Sequence, residues 1–183
     1  RENVYKFKSL AEIKGKFTIL IVGGSQSANI FNMNLRNSIV NISKKKPIKI
    51  IQQTNKENIS YLRDFYSKNN IENKIFNFES NFLNIIKEVD LCITRSGAST
   101  LAELSVINIP FIAVPLPSSK DNHQLENANF YKENDCCWVI EQTNFEEKIE
   151  YLLNEILTNK IEYLKKKENL KKLNYQNTWI NVK

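Results

Sequence analysis

Apolar residues along this chain gather into short unbroken runs, and longer stretches with helical spacing separate them. The runs cover residues 17–22, 48–52, 74–78, 89–94, 111–114 and 137–140, and each is predicted to be a strand. A helix is predicted over 28–40, where Ile30, Phe31, Leu35 and Ile39 fall on one side. Residues 57–69 are amphipathic, with Ile59, Leu62, Phe65 and Tyr66 in register. Further helices are predicted over 81–88, 99–107 and 122–133. Asn144 is expected to cap a helix reaching Asn159, with Ile149, Leu152, Leu153 and Ile156 turned inward. Another helix runs to about Leu173, and residues 174–183 carry no strong pattern. Lys44-Lys45-Lys46-Pro47 and Asn108-Ile109-Pro110 interrupt the pattern. Strands that are apolar throughout, alternating with helices, imply a parallel sheet covered on both faces. The fold class is therefore α/β, a Rossmann-like doubly wound parallel sheet forming one domain.

Sheets of this kind bind ligands beyond the carboxyl ends of their strands. Three loops are predicted there, over 23–27, 94–100 and 115–124, and the topology predicts that they converge. The second carries the most information. Thr94-Arg95-Ser96-Gly97-Ala98-Ser99-Thr100 leaves a buried strand and opens a helix on small, hydroxylated residues. Unpaired backbone N–H groups and the helix dipole make such a start suitable for a diphosphate. Glu103 lies a few residues further on, where a carboxylate can accept from two ribose hydroxyls. The plainer alternatives are a solvated Glu103 and an Arg95 in a surface ion pair. Gly23-Gly24-Ser25-Gln26-Ser27 reads equally as a phosphate turn or a simple tight turn, since it matches neither G-x-G-x-x-G nor a Walker sequence. Asp121-Asn122-His123-Gln124 through Asn127 opens a helix, with its polar side chains either capping it or facing a ligand. His123 has no second histidine and no evident Asp partner. A donor or structural role suits it better than general base. No Asp-x-Asp metal pattern occurs, so no metal is expected.

The chain has 183 residues, 42% hydrophobic and 25% charged, which is ordinary for a globular protein. It begins at Arg1 and is expected to be a piece of a longer protein. No apolar run approaches the ~20 residues of a membrane span. The net charge of +6 suits an anionic partner, or reflects drift toward Lys, Asn and Ile under AT-rich codons. Much of the excess lies in Lys165-Lys166-Lys167 and Lys171-Lys172, which reads as a solvated helix face. Aromatics occupy core-like positions and offer no stacking platform for RNA, so no nucleic acid is expected as partner. Cys92, Cys136 and Cys137 form no spaced pairs; they read as reduced thiols, with Cys92 in the core.

Taken together, Ile21-Val22-Gly23-Gly24-Ser25-Gln26, Thr94-Arg95-Ser96-Gly97-Ala98 with Thr100 and Glu103, Pro115, Lys120-Asp121-Asn122-His123-Gln124 and Asn127-Ala128 resemble the C-terminal, donor-binding domain of the MurG family. These are the N-acetylglucosaminyltransferases that make lipid II in peptidoglycan synthesis. The order and spacing match over about residues 17–142. The resemblance implies the C-terminal half of a GT-B fold, with two Rossmann-like domains flanking a cleft. It implies that Glu103 holds the ribose of UDP-N-acetylglucosamine. Ala98, Ser99 and Thr100 would lie at the nucleotide and its phosphates. Gly23, Gly24, Ser96 and Gly97 would supply turn backbone, and Ser25 and Gln26 would border the diphosphate and the acceptor cleft. Gln124 and His123 would reach sugar hydroxyls, and Arg1 would correspond to the arginine of an Asn-Pro-Val-Arg segment joining the domains. No cofactor is implied. Residues 1–16 are then an interdomain lead-in and 174–183 a tail. The lipid I acceptor, the catalytic base and most membrane contact belong to an N-terminal domain outside this chain. The expected setting is peripheral, on the cytoplasmic face of a bacterial inner membrane, and this piece alone is expected to be inactive. Ser27 stands where the family usually has glycine. Two other readings remain: the donor half of a dolichol-linked two-subunit transferase, and a non-catalytic nucleotide-sugar-binding module.

Overall fold

The structure is a computed structural model that describes residues 15–23, 28–79 and 85–176. Arg1, Gly24, Ser25, Gln26 and Ser27, and most of the helix expected over 81–88, lie outside the described residues. The elements run β1 (Phe17–Val22), α1 (Ala28–Asn34), α2 (Arg36–Ser43), β2 (Ile48–Gln53), α3 (Ile59–Lys68), β3 (Glu72–Phe76), β4 (Leu91–Thr94), α4 (Ala98–Val106), β5 (Phe111–Ala113), α5 (His123–Glu133), β6 (Trp138–Val139), α6 (Phe145–Thr158) and α7 (Lys160–Gln176). The strands form one sheet in the order β3-β2-β1-β4-β5-β6, and every pairing is parallel. The order reverses between β1 and β4, which creates the crevice where doubly wound sheets bind ligands.

Both faces of the sheet are covered, which is why its strands read as unbroken apolar runs. Ile19, Ile21, Ile50, Ile93 and Ile112 join one core with Phe31, Leu35, Leu62, Phe145, Ile149 and Leu153. Their strand neighbours Leu20, Ile51, Cys92, Phe111 and Ala113 point the other way, into a core with Leu101, Leu104, Ala128 and Leu170. Helix α7 serves both, with Tyr163 in the first core and Leu170 and Leu173 in the second.

Four local expectations change. The helix expected over 28–40 is two helices with a turn residue at Leu35, which keeps right-handed helical angles (φ −95°, ψ −31°). Strand β3 begins two residues earlier than its apolar run, because pairing with β2 sets its limits, from Lys49 opposite Glu72 to Gln53 opposite Phe76. Asn144 makes no capping side-chain hydrogen bond; a short 3₁₀ turn, Gln142–Asn144, leads into α6 instead. The lysine run of α7 is not wholly solvated. Lys166 is buried, binds Asp135 at 2.6 Å and lies 5.0 Å above the Trp138 ring. Lys165, Lys171 and Lys172 do face solvent. Lys166 is buried because α7 packs over β6, a tertiary contact that a helix's own charge pattern does not encode.

Candidate functional site

Strand register brings the loops together. Val22 lies beside Thr94, and Thr94 beside Ala113, so β1, β4 and β5 all end on one rim. Gly23, the described part of the first turn, follows β1 directly and is buried. Ser96 and Gly97 follow β4, and the 115–122 loop follows β5.

Gln124 stitches the second loop to the third. Its Oε1 accepts from the Ser96 N–H at 3.2 Å and from the Leu116 N–H at 3.0 Å. Asn127, one turn along α5, donates from Nδ2 to the Ser96 carbonyl at 3.0 Å. The Ser96 amide is thereby occupied inside the protein rather than open to a phosphate. Gln124 keeps only its Nε2 for a ligand, since that atom has no partner among the described residues.

Helix α4 then starts bare. Its first intrahelical bond runs from Leu101 N to Gly97 O at 3.0 Å. Gly97 caps the helix in an extended conformation without a side-chain bond, and no acidic residue occupies the first turn. The N–H groups of Ala98, Ser99 and Thr100 have no partner among the described residues, and Ala98 and Ser99 are exposed. Gly97 has φ −67°, which any residue adopts, and an added Cβ would meet nothing nearer than Thr100 Oγ1 at 3.9 Å. The protein itself does not demand glycine there. Glycine instead keeps the backbone open to close approach from outside the chain. The Ser96 hydroxyl is buried and has no hydrogen-bond partner among the described residues.

Glu103 is half-buried, and its carboxylate has no partner among the described residues. It stands three residues after Thr100, on the same side of α4. Its backbone lies about 7.5 Å along the axis from Ala98. The open amides and the carboxylate thus lie within two turns of one helix.

His123 is exposed, and its Nδ1 lies 2.5 Å from the Lys120 carbonyl. A carbonyl can only accept, so Nδ1 donates this hydrogen bond and Nε2 is left for another partner. Asp121 and Asn122, just before it, both take left-handed angles (φ 50° and 53°). These residue types tolerate that region better than most.

Arg95 overturns the surface ion-pair expectation. It is 8% exposed and donates from Nη1 to the Val114 carbonyl at 3.1 Å and the Pro115 carbonyl at 3.4 Å. Its Nη2 donates to Gln142 Oε1 at 2.6 Å, and its Cζ lies 5.4 Å over the Phe31 ring. Burial pulls its pKa down from the usual arginine value. Gln142 and Phe31 carry no local sequence signal for this role, being 47 residues after and 64 residues before Arg95 in the chain.

The cysteines lie apart from the rim. All three are free and buried. Desolvation pushes Cys136 up to about 11 and Cys137 up to about 12, and raises Cys92 further. Among the described residues no cluster of His, Cys, Asp and Glu has the makings of a metal site.

A Rossmann-like domain with a bare helix start and a nearby carboxylate at its strand-end rim defines an α/β protein with a candidate ligand site. The sequence model of the glycosyltransferase family 28 C-terminal domain matches residues 18–178, and the chain belongs to that family. It is 44% identical over its whole length to a Pelagibacter ubique protein named UDP-N-acetylglucosamine--N-acetylmuramyl-(pentapeptide) pyrophosphoryl-undecaprenol N-acetylglucosamine transferase, covering 51% of that protein. A Rickettsia massiliae protein of the same name is 40% identical over 78% of this chain, which covers 39% of it. The chain thus spans about half the length, or less, of the curated relatives it matches. Among solved structures, Acinetobacter baumannii MurG superposes with a TM-score of 0.77 at 22% identity, over 93% of this chain and 48% of the other. A chain titled ALG13 superposes with a TM-score of 0.54 at 15% identity, over 80% of this chain and 87% of its own length. These superpositions establish the GT-B glycosyltransferase half-fold.

Proposed function

We propose that this chain is the donor-binding half of a transferase that moves N-acetylglucosamine from UDP-N-acetylglucosamine to lipid I, forming lipid II for peptidoglycan. The observation that carries the reading is the pairing, on α4, of open N–H groups at Ala98, Ser99 and Thr100 with the unpartnered Glu103 carboxylate. The names of the relatives support the choice of sugar and acceptor. In this reading the diphosphate sits at the start of α4 and the ribose hydroxyls donate to Glu103. The Gln124 Nε2 and the His123 Nε2 face the sugar. The family resemblance assigns Ser25 and Gln26 to the diphosphate and acceptor cleft, Gly24 to the turn backbone and Arg1 to the segment joining the domains, and all four lie outside the described residues. Residues 1–183 act as one UDP-sugar-binding domain, with the catalytic base supplied from outside them.

Transfer inverts the anomeric centre and leaves negative charge on the departing UDP. Preorganised N–H groups and the α4 dipole stabilise that charge without a metal ion. A donor of this kind is worth about 3 kcal/mol in the transition state. No helix among the described residues is long and apolar enough to cross a membrane. Peripheral attachment at the cytoplasmic face of the inner membrane fits a lipid-linked acceptor.

The test has two arms. Calorimetry with this chain is expected to show saturable UDP and UDP-N-acetylglucosamine binding. The full-length protein is expected to release UDP and form lipid II when given lipid I. Absence of UDP binding sinks the reading. UDP binding without turnover by the full-length protein favours a non-catalytic module. A two-chain transferase of the dolichol-linked kind is the other alternative. It is distinguished by transfer that appears only when a separate acceptor subunit is added.

A further inference from the structure

Arg95 is a positive charge kept inside the protein with no negative charge to answer it. Among the described residues it forms no ion pair with any Asp or Glu. Its partners there are two carbonyls and an amide oxygen, and Nε has none among the described residues. Burying a guanidinium without a counter-charge is costly, so structures usually supply a carboxylate. Here the contacts have a second property in common. Phe31 is on α1, the helix that follows the first turn. Val114 and Pro115 lead into the third loop. Arg95 itself opens the second. One guanidinium therefore touches α1 and the segment leading from β5 into the third loop, from a residue that itself opens the second.

We infer that Arg95 is a positioning residue whose buried charge is answered by the ligand's diphosphate. It holds the second and third rim segments in register with α1 and fixes a positive charge on the residue three positions before the first open amide of α4. The inference rests on the donor-site reading, with the diphosphate seated at those amides. A buried charge is little screened by salt, and its field reaches the phosphates without direct contact. The nucleoside lacks that charge, so Arg95 should discriminate UDP from uridine, which a purely structural residue would not.

Two substitutions, made in the full chain, test this by calorimetry with UDP and with uridine. Arg95→Met removes the charge but keeps much of the bulk. Gln142→Glu leaves Arg95 in place and puts a carboxylate where an amide oxygen now stands 2.6 Å away, giving the guanidinium an internal counter-charge. That variant should fold at least as well as the parent. Each is expected to weaken UDP on the order of tenfold while shifting uridine less than about threefold. Arg95→Lys should recover most of the UDP-over-uridine preference. Unchanged UDP affinity in Gln142→Glu overturns the inference, as does equal loss of both ligands in both variants. Should the parent chain bind neither UDP nor uridine, the donor-site reading itself falls, and this inference with it.

Discussion

Replacing Glu103 by alanine should separate binding from folding. The carboxylate is half-buried on α4 and has no partner among the described residues, so its loss breaks no intramolecular contact. Alanine is also the better helix former, by a few tenths of a kcal/mol. The melting temperature should therefore move by no more than a degree or two. Binding should change much more. A carboxylate accepting from two ribose hydroxyls makes two charge-assisted hydrogen bonds, each worth about 1.5 kcal/mol. The sum of about 3 kcal/mol corresponds to about 150-fold in Kd for UDP. Calorimetry with UDP and 2′-deoxy-UDP forms a double-mutant cycle. The parent should lose about tenfold on the deoxy ligand, and Glu103→Ala should lose almost nothing further. A variant that binds UDP within twofold of the parent, or that still distinguishes the deoxy ligand, refutes the placement of Glu103 at the ribose.

Gln124→Ala strands the Ser96 and Leu116 amides, so thermal or urea unfolding should show a loss of about 2 kcal/mol together with weaker UDP binding. An intact melting temperature would show those amides are satisfied otherwise. Phe145→Ala empties a fully buried position packed edge-on against Phe31 at 5.5 Å; urea unfolding should give a loss of about 4 kcal/mol. The Lys165 and Lys166 ammoniums hold the Asp135 carboxyl below its usual range. A depressed folded pKa adds stability that is complete above the unfolded value near 4 and is lost as pH falls through the folded value. Asp135→Asn should therefore lower the melting temperature at neutral pH and have little effect below about pH 3. An equal penalty at both pH values would point away from charge. The three buried thiols, with Cys136 and Cys137 raised to about 11 and 12, should resist alkylation at pH 7.5 in the native chain and all react once it is unfolded.

The sequence by itself determined the layer order and the strands. Unbroken apolar runs can be buried on both sides only in a helix-covered parallel sheet, and all six predicted strands overlap their observed positions to within two residues at either end. The exception in kind is β3, an edge strand with polar Glu72, Asn73 and Lys74, where pairing rather than composition marks the limits. The bare start of α4 and the position of Glu103 within that helix were also legible, because helix geometry is local and follows from spacing along one segment. Other facts belong to the tertiary structure alone. Gln124 reads as a ligand-facing amide, yet its Oε1 is spent on two backbone amides that only the folded rim brings within reach. Lys166 reads as solvated until α7 lies across Trp138. Arg95 reads either as part of the anion-binding turn or as a surface ion pair, and the enclosure by Phe31, Val114, Pro115 and Gln142 removes the second reading. Periodicity reports which face of an element is apolar. It carries no record of which distant element will desolvate a given charge, and that desolvation decides whether the charge is surface decoration or part of the site.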